Sequence, residues 1–170
     1  MTELAQKIKT DFSKDKDSFP VENILSTEII ESLIRFMRKE KAQDPTQICE
    51  FLGVLAQIAS GKGAAVDRWV ELGIIEIASG FLEHEDFGVN EDAMILLANI
   101  ALTSFEYRED IIEREYEKIV GFVLPKCRNQ VSASFDTHLS LFLMSLFRGP
   151  PYLCSKQVSI LLRYFQSFFS

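Results

Sequence analysis

Apolar residues recur along most of this chain with the spacing of amphipathic helices. In the segment 27–39 the apolar positions are Ile29, Ile30, Leu33, Ile34, Phe36 and Met37. This is the i, i+3, i+4, i+7 stripe of a helix that buries one face. Similar stripes occupy 47–59 and 89–101, and no segment alternates apolar and polar residues with a period of two. The pattern therefore predicts an all-α fold.

Glycines and prolines divide this pattern into short helices. Pro20 and Pro45 suit the first turn of a helix, whereas Gly73 and Gly88 suit the breaks between helices. The predicted helices lie near 3–13, 20–25, 27–39, 45–60, 64–72, 74–84, 89–102, 106–114, 116–129, 131–147 and 154–169.

A similar helix ending is written three times along the chain. It reads FLGVLAQIASG at 51–61, ILLANIALTS at 95–104 and LFLMSLFRG at 141–149. Aligning the three copies makes Gln57, Asn99 and Ser145 equivalent, at spacings of 42 and 46 residues. Repeats of about 40–47 residues with two or three helices are typical of armadillo and HEAT proteins.

The repeat predicts a single domain over residues 1–170 that is built from three-helix units. We divide it into a partial repeat at 1–19, repeats at about 20–62, 63–105 and 106–149, and a partial repeat at 150–170. One unit cannot cover its own apolar face, so units stack and their last helices line a concave surface. We therefore expect Gln57, Asn99 and Ser145 to lie along one groove.

Charge and cysteine content narrow the function classes. The chain has 18 basic and 25 acidic residues and a net charge of −7, which does not favour binding to nucleic acid phosphates. The acidic balance suits either basic partners or simple solubility. Cys49, Cys127 and Cys154 lack metal-site spacing, so we expect free thiols in a reducing compartment.

Neither a membrane span nor an enzyme site is predicted. No apolar run approaches the ~20 residues that a spanning helix needs, and the first residues lack the apolar core of a signal peptide. His84 and His138 have no metal-ligating neighbours at the usual spacing. No nucleophile–base or phosphate-loop motif is present, so we expect no enzyme activity, metal or cofactor.

The order of these segments resembles the armadillo region of the importin-alpha (karyopherin-alpha) family, the adaptors for nuclear localisation signals. PVENILSTEIIESLIRFM…FLGVLAQIASG at 20–61 is similar to the second repeat, and EDAMILLANIALTSFEYREDII at 91–112 is similar to the next junction. LSLFLMSLFRGPPYLCSKQV at 139–158 resembles the fourth repeat. The resemblance covers repeats one to four and the start of the fifth. It implies a right-handed armadillo superhelix.

The resemblance also implies a set of groove residues. In that family each third helix presents a Trp, whose face packs against the aliphatic stems of Lys and Arg. One turn later it presents an Asn, which holds the backbone of the extended peptide, and acidic residues nearby receive the basic side chains. The Trp positions here are Gly53, Ile95 and Leu141, and the Asn positions are Gln57, Asn99 and Ser145. Further groove positions are Gly61 and Thr103 one turn beyond, Glu91 as an acidic wall residue, and Arg148.

Two functions follow as expectations. The first is an importin-alpha-like adaptor with a degenerate main site, since only Asn99 is kept among the Trp and Asn positions. It would bind basic or extended cargo peptides in the cytoplasm and nucleus, with an importin-beta-like carrier. The alternative is a non-transport armadillo scaffold for protein–protein interaction or self-association through the helix at 154–169. Whether the chain is a fragment or a natural short form stays open.

Overall fold

Helices make up the regular structure of the part of the chain that is described. A computed structural model describes residues 28–39, 44–60, 64–119, 121 and 133–149, together with 155, 158, 159 and 162. The helices of this part of the chain include α1 (Glu28–Lys39), α2 (Pro45–Ala59), α3 (Ala64–Glu71), α4 (Ile74–Phe81), α5 (Phe87–Thr103), α6 (Phe105–Lys118) and α7 (Ala133–Phe147). The predicted all-α class is confirmed for these residues.

Most helix ends agree with the sequence pattern to within two or three residues. The helices predicted at 3–13 and 20–25 lie outside the described residues, as does most of 154–169. The predicted break at 114–117 is wrong, because α6 continues through it to Lys118. On α6 the buried Ile111 and Ile112 face the core, so packing sustains the helix across its acidic surface.

The acidic segment of α6 is not solvated throughout. Glu113 and Glu117 on this helix are exposed to solvent. Glu115 is buried instead, and its Oε2 lies 2.9 Å from Lys118 Nζ. The lysine offsets the charge of a carboxylate that is out of contact with water.

Helix α5 is the centre of the fold. It packs most extensively against α2 and α7, which make far less contact with each other, and also against α4 and α6. Its buried residues are Val89, Asn90, Ala93, Met94, Leu96, Leu97, Ala98, Ile100 and Ala101. A helix that is apolar nearly all round is a helix enclosed by neighbours. The three helices that carry the repeated ending therefore lie in a row, with α5 between α2 and α7.

Local signals fix where several helices begin. The Asp44 carboxylate accepts a hydrogen bond from Thr46 N at 3.1 Å, ahead of Pro45 in the first turn of α2. Asp86 caps α5 in the same way through Val89 N. Gly73 joins α3 to α4 with φ +81°, a left-handed conformation that glycine adopts without the steric cost of a Cβ atom.

Several side-chain hydrogen bonds join residues of different helices about one predicted repeat apart. Their separations in sequence run from 34 to 47 residues. The pairs are Arg38 with Leu72, Arg68 with Glu31, Tyr107 with Asp67, Asn99 with Ala56, and both Ser134 and His138 with Glu91. Each pair connects a helix to its counterpart or near neighbour one unit later, as a stacked repeat would.

The Tyr107–Asp67 bond predicts a pH dependence. The Tyr107 hydroxyl donates to Asp67 Oδ1 at 2.5 Å, and this bond raises the pKa of Tyr107 to about 12. The folded chain keeps this proton after the unfolded chain has lost it, so the bond's contribution to stability is complete below pH ~10 and is lost as the pH rises toward ~12. Tyrosinate absorbance should show one of the four tyrosines titrating late.

The Tyr107→Phe variant provides the control for this titration. Its spectrum should lack the late step while the remaining tyrosines titrate as before. If the late step persists in Tyr107→Phe, another tyrosine carries it and the bond between α6 and α3 is not its cause.

Candidate functional site

A cleft runs along the surface between α5 and α7. It has a volume of about 270 Å³ and is lined by Ile95, Ala98, Asn99 and Leu102 of α5, and by His138, Leu141, Met144, Ser145 and Arg148 at α7. The lining residues recur every three or four positions on each helix, so each set forms one face. The lining contains no Lys, Asp or Glu.

Large apolar side chains lie exposed on this cleft. Leu102 is 46% exposed, Leu141 54% and Met144 65%. Isolated exposed apolar residues are ordinary, but three around one concavity form a patch of the kind that marks interaction sites. The cleft is therefore an apolar surface rather than a charged one along most of its length.

Asn99 forms a side-chain hydrogen bond with α2. Its Nδ2 donates to Ala56 O at 2.8 Å, near the end of α2. Ala56 O also accepts from Ser60 N, so Asn99 supplements the last turn of α2. The predicted role of Asn99 was to hold a peptide backbone. One amide hydrogen is committed to α2, which leaves the second hydrogen and Oδ1 for a ligand.

Ser145 lies at the floor of the cleft. It is 3% exposed, and its Oγ donates to Phe142 O of its own helix at 2.7 Å. Its hydroxyl proton is therefore used within α7, and only the oxygen lone pairs remain for a bound chain. The predicted clamp at Ser145 is correspondingly weaker than the sequence register suggests.

The other predicted groove residues lie in several places. Ile95, Leu141 and Arg148 line the cleft, whereas Gly53 and Gln57 lie half-buried on α2 and do not line it. Thr103 is exposed at the end of α5, where its Oγ1 donates to Ile100 O at 2.7 Å. Gly61 lies outside the described residues.

Glu91 joins α5 to α7 at one end of the cleft. Its Oε2 accepts from Ser134 Oγ at 2.9 Å and lies 3.1 Å from His138 Nδ1. His138 and Glu91 are 47 residues apart in sequence, so spacing along the chain does not predict this contact. The contact occupies Glu91, which the resemblance assigns to receiving basic ligand side chains.

The charges near the two ends of the cleft differ in sign. Asp86, Glu91 and Asp92 surround the thiol of Cys49 near the start of α5, and burial together with these carboxylates raises the pKa of Cys49 to about 12. The thiol therefore stays protonated at neutral pH and is unreactive. Arg148 lies exposed at the opposite end of the cleft, and no carboxylate of the described residues forms an ion pair with it.

Sequence reasoning missed four lining residues. Ala98, Leu102, His138 and Met144 complete the two helix faces on which Ile95, Asn99, Leu141 and Ser145 lie. A signal for them was present, because extending the register by three or four residues on each helix reaches all four.

The groups of His, Cys, Asp and Glu in the described part of the chain do not form a candidate metal site.

Comparisons with known proteins support the fold and leave the function open. No protein-family model matches the chain, and no curated protein does. Two crystal structures of engineered proteins from the Northeast Structural Genomics Consortium are similar. One has a TM-score of 0.63 at 22% identity over 82% of this chain, and the other 0.67 at 20% identity over 85%.

These similarities concern the fold alone, given the low identity. The chain spans about half the length of the two engineered proteins, covering 52% and 55% of them. Within its described residues, each helix is too short or too polar to cross a lipid bilayer.

Proposed function

We propose that this chain is an armadillo-type solenoid that binds a segment of a partner protein in the cleft between α5 and α7. The observation that carries the proposal is the exposed set Leu102, Leu141 and Met144 around one concavity. Burying a Leu or Met side chain is worth about 1.5–3 kcal/mol. Several anchors of this size suit a protein interaction of moderate affinity once the cost of association is met.

The solenoid part of the proposal draws on the stacking of helices. The helices α2, α5 and α7, which carry the repeated ending, pack with α5 between the other two. The side-chain hydrogen bonds described above join residues that are 34–47 positions apart in sequence. Both features are expected when units of about forty residues stack with a small rotation. In this arrangement the cleft lies between the last helices of two consecutive units.

A non-transport scaffold is the version of this function that the cleft supports best. A nuclear-import adaptor would present flat aromatic walls and free carboxylates to lysine and arginine side chains. Here the corresponding walls are Ile95 and Leu141, Glu91 contacts His138, and Arg148 adds positive charge.

The nuclear-import adaptor remains the second candidate because Asn99 lies on the cleft in the register that the resemblance implies. In that role the chain would bind basic cargo peptides and an importin-beta-like carrier in the cytoplasm and nucleus.

A peptide selection tests the proposal. Random displayed peptides of about 12 residues, long enough to extend beyond a cleft of two to three helical turns, are selected on the wild-type chain. Winners are then measured by fluorescence anisotropy on Leu141→Gln/Met144→Gln. We expect this double variant to weaken binding at least ~10-fold, since it removes two apolar anchors.

The matched control is Val158→Gln/Leu162→Gln, which changes two exposed apolar residues that do not line the cleft. It should bind the winners like the wild type, and circular dichroism should show that both double variants are folded. Winners that bind all three proteins equally, or a selection without winners, would contradict the proposed function. A lysine-rich localisation peptide that binds with cleft dependence would favour the import adaptor.

A further inference from the structure

We infer that the partner segment of this cleft is amphipathic, with apolar anchors and, at the end that lies beside Arg148, a carboxylate that pairs with this arginine. The inference rests on the proposed function and names the chemistry of its partner. The starting point is the composition of the lining, in which five apolar side chains are joined by Arg148 and His138 without Lys, Asp or Glu. Met and Arg are enriched at the cores of protein interfaces, whereas Lys, Glu and Asp are depleted there.

The arrangement along the cleft sets the order of these contacts. Ile95 and Leu141 lie toward the Glu91–His138 end, and Leu102 and Arg148 toward the opposite end. The two helix faces each advance about 1.5 Å per residue, so the lining from His138 to Arg148 extends ~15 Å. Apolar partner residues would fill the middle, and the acidic one would lie beyond them.

Arg148 and His138 are not equivalent as partners for a carboxylate. His138 Nδ1 lies 3.1 Å from Glu91 Oε2, so a partner carboxylate at that end would meet an existing negative charge. Arg148 is exposed and forms no ion pair with a carboxylate of the described residues. An arginine binds a carboxylate through two parallel hydrogen bonds. Arg148 is therefore the position at which a partner's Asp or Glu is recognised.

The acidic balance of the chain limits how acidic the partner is. A net charge of −7 repels a highly negative segment at long range. One or two carboxylates placed at the Arg148 end gain the local attraction with little of that repulsion. This differs from the lysine-rich peptides of the import adaptor, for which Arg148 is a like charge.

The winners of the peptide selection test this inference. Among cleft-dependent peptides we expect apolar residues at helical spacing or in a short run, flanked on one side by Asp or Glu. Replacing that acid by Gln or Asn in a synthetic peptide should weaken binding about two- to five-fold, as for an exposed ion pair. Arg148→Gln should weaken binding of the acidic peptide by the same factor. It should leave binding of the Gln- or Asn-substituted peptide unchanged. Arg35→Gln removes the same charge from an exposed position on α1 and should alter the binding of neither peptide.

Each outcome separates this inference from the proposed function. Cleft-dependent winners that lack acids, carry mostly Lys or Arg, or ignore Arg148→Gln overturn the inference while the cleft remains a binding site. Winners without cleft dependence overturn both. If sedimentation shows a dimer that Leu141→Gln/Met144→Gln dissociates, a second copy occupies the cleft and the inference is again overturned.

Discussion

Replacing Asn90 with alanine is expected to lower the free energy of unfolding by about 2–3 kcal/mol. Asn90 is fully buried on α5. Its Nδ2 donates to Phe81 O at 2.8 Å, Leu82 O at 3.3 Å and His84 O at 2.9 Å. These carbonyls end α4 and begin the turn into α5, where helical N–H groups become scarce, although Phe81 O also accepts from His84 N at 3.1 Å. Alanine would remove the side-chain donor from all three carbonyls.

Urea denaturation followed by circular dichroism measures this loss. Asn99→Ala is the matched control, because Asn99 is half-buried on the same helix and donates once, to Ala56 O. We expect that substitution to cost about 1 kcal/mol. Equal losses for the two variants would contradict the role of Asn90 as the buried cap of α4.

Replacing Leu97 with alanine is expected to lower the free energy of unfolding by about 3–5 kcal/mol. Leu97 is fully buried on the helix that contacts α2, α4, α6 and α7. The substitution removes apolar contacts and leaves a cavity that four surrounding helices cannot close without moving. Urea denaturation again provides the measurement.

Leu102→Ala is the control on the same helix. Leu102 is 46% exposed at the cleft, so its truncation should cost less than about 1 kcal/mol. Similar losses for both variants would mean that α5 is not the enclosed helix that its burial indicates. The same control should weaken binding of cleft-dependent peptides, which separates its role in recognition from any role in stability.

Helix positions were readable from the sequence because apolar spacing and turn residues agree over most of the chain. Asp44 and Pro45 mark the start of α2, and Gly73 marks the turn between α3 and α4. The predicted break in α6 failed because the acidic surface at 106–117 hides the stripe of Ile111, Ile112 and Ile119. Local composition cannot show that a neighbouring helix covers such a stripe.

The candidate site was readable in part. Repeat register brought Ile95, Asn99, Leu141, Ser145 and Arg148 to one cleft, because equivalent positions on stacked helices lie side by side. The contacts of individual side chains were not readable.

Asn90 caps a helix nine residues earlier, and His138 meets Glu91 from another helix. Such contacts depend on how helices pack, which spacing within one helix does not encode.

The most direct test of the binding cleft is a methyl NMR titration of the folded chain with a peptide from the selection. The account predicts that the methyl signals of Leu102, Leu141 and Met144 shift with the peptide concentration, while those of Val158 and Leu162 do not. Shifts confined to Val158 and Leu162, with the three cleft residues unchanged, would contradict it.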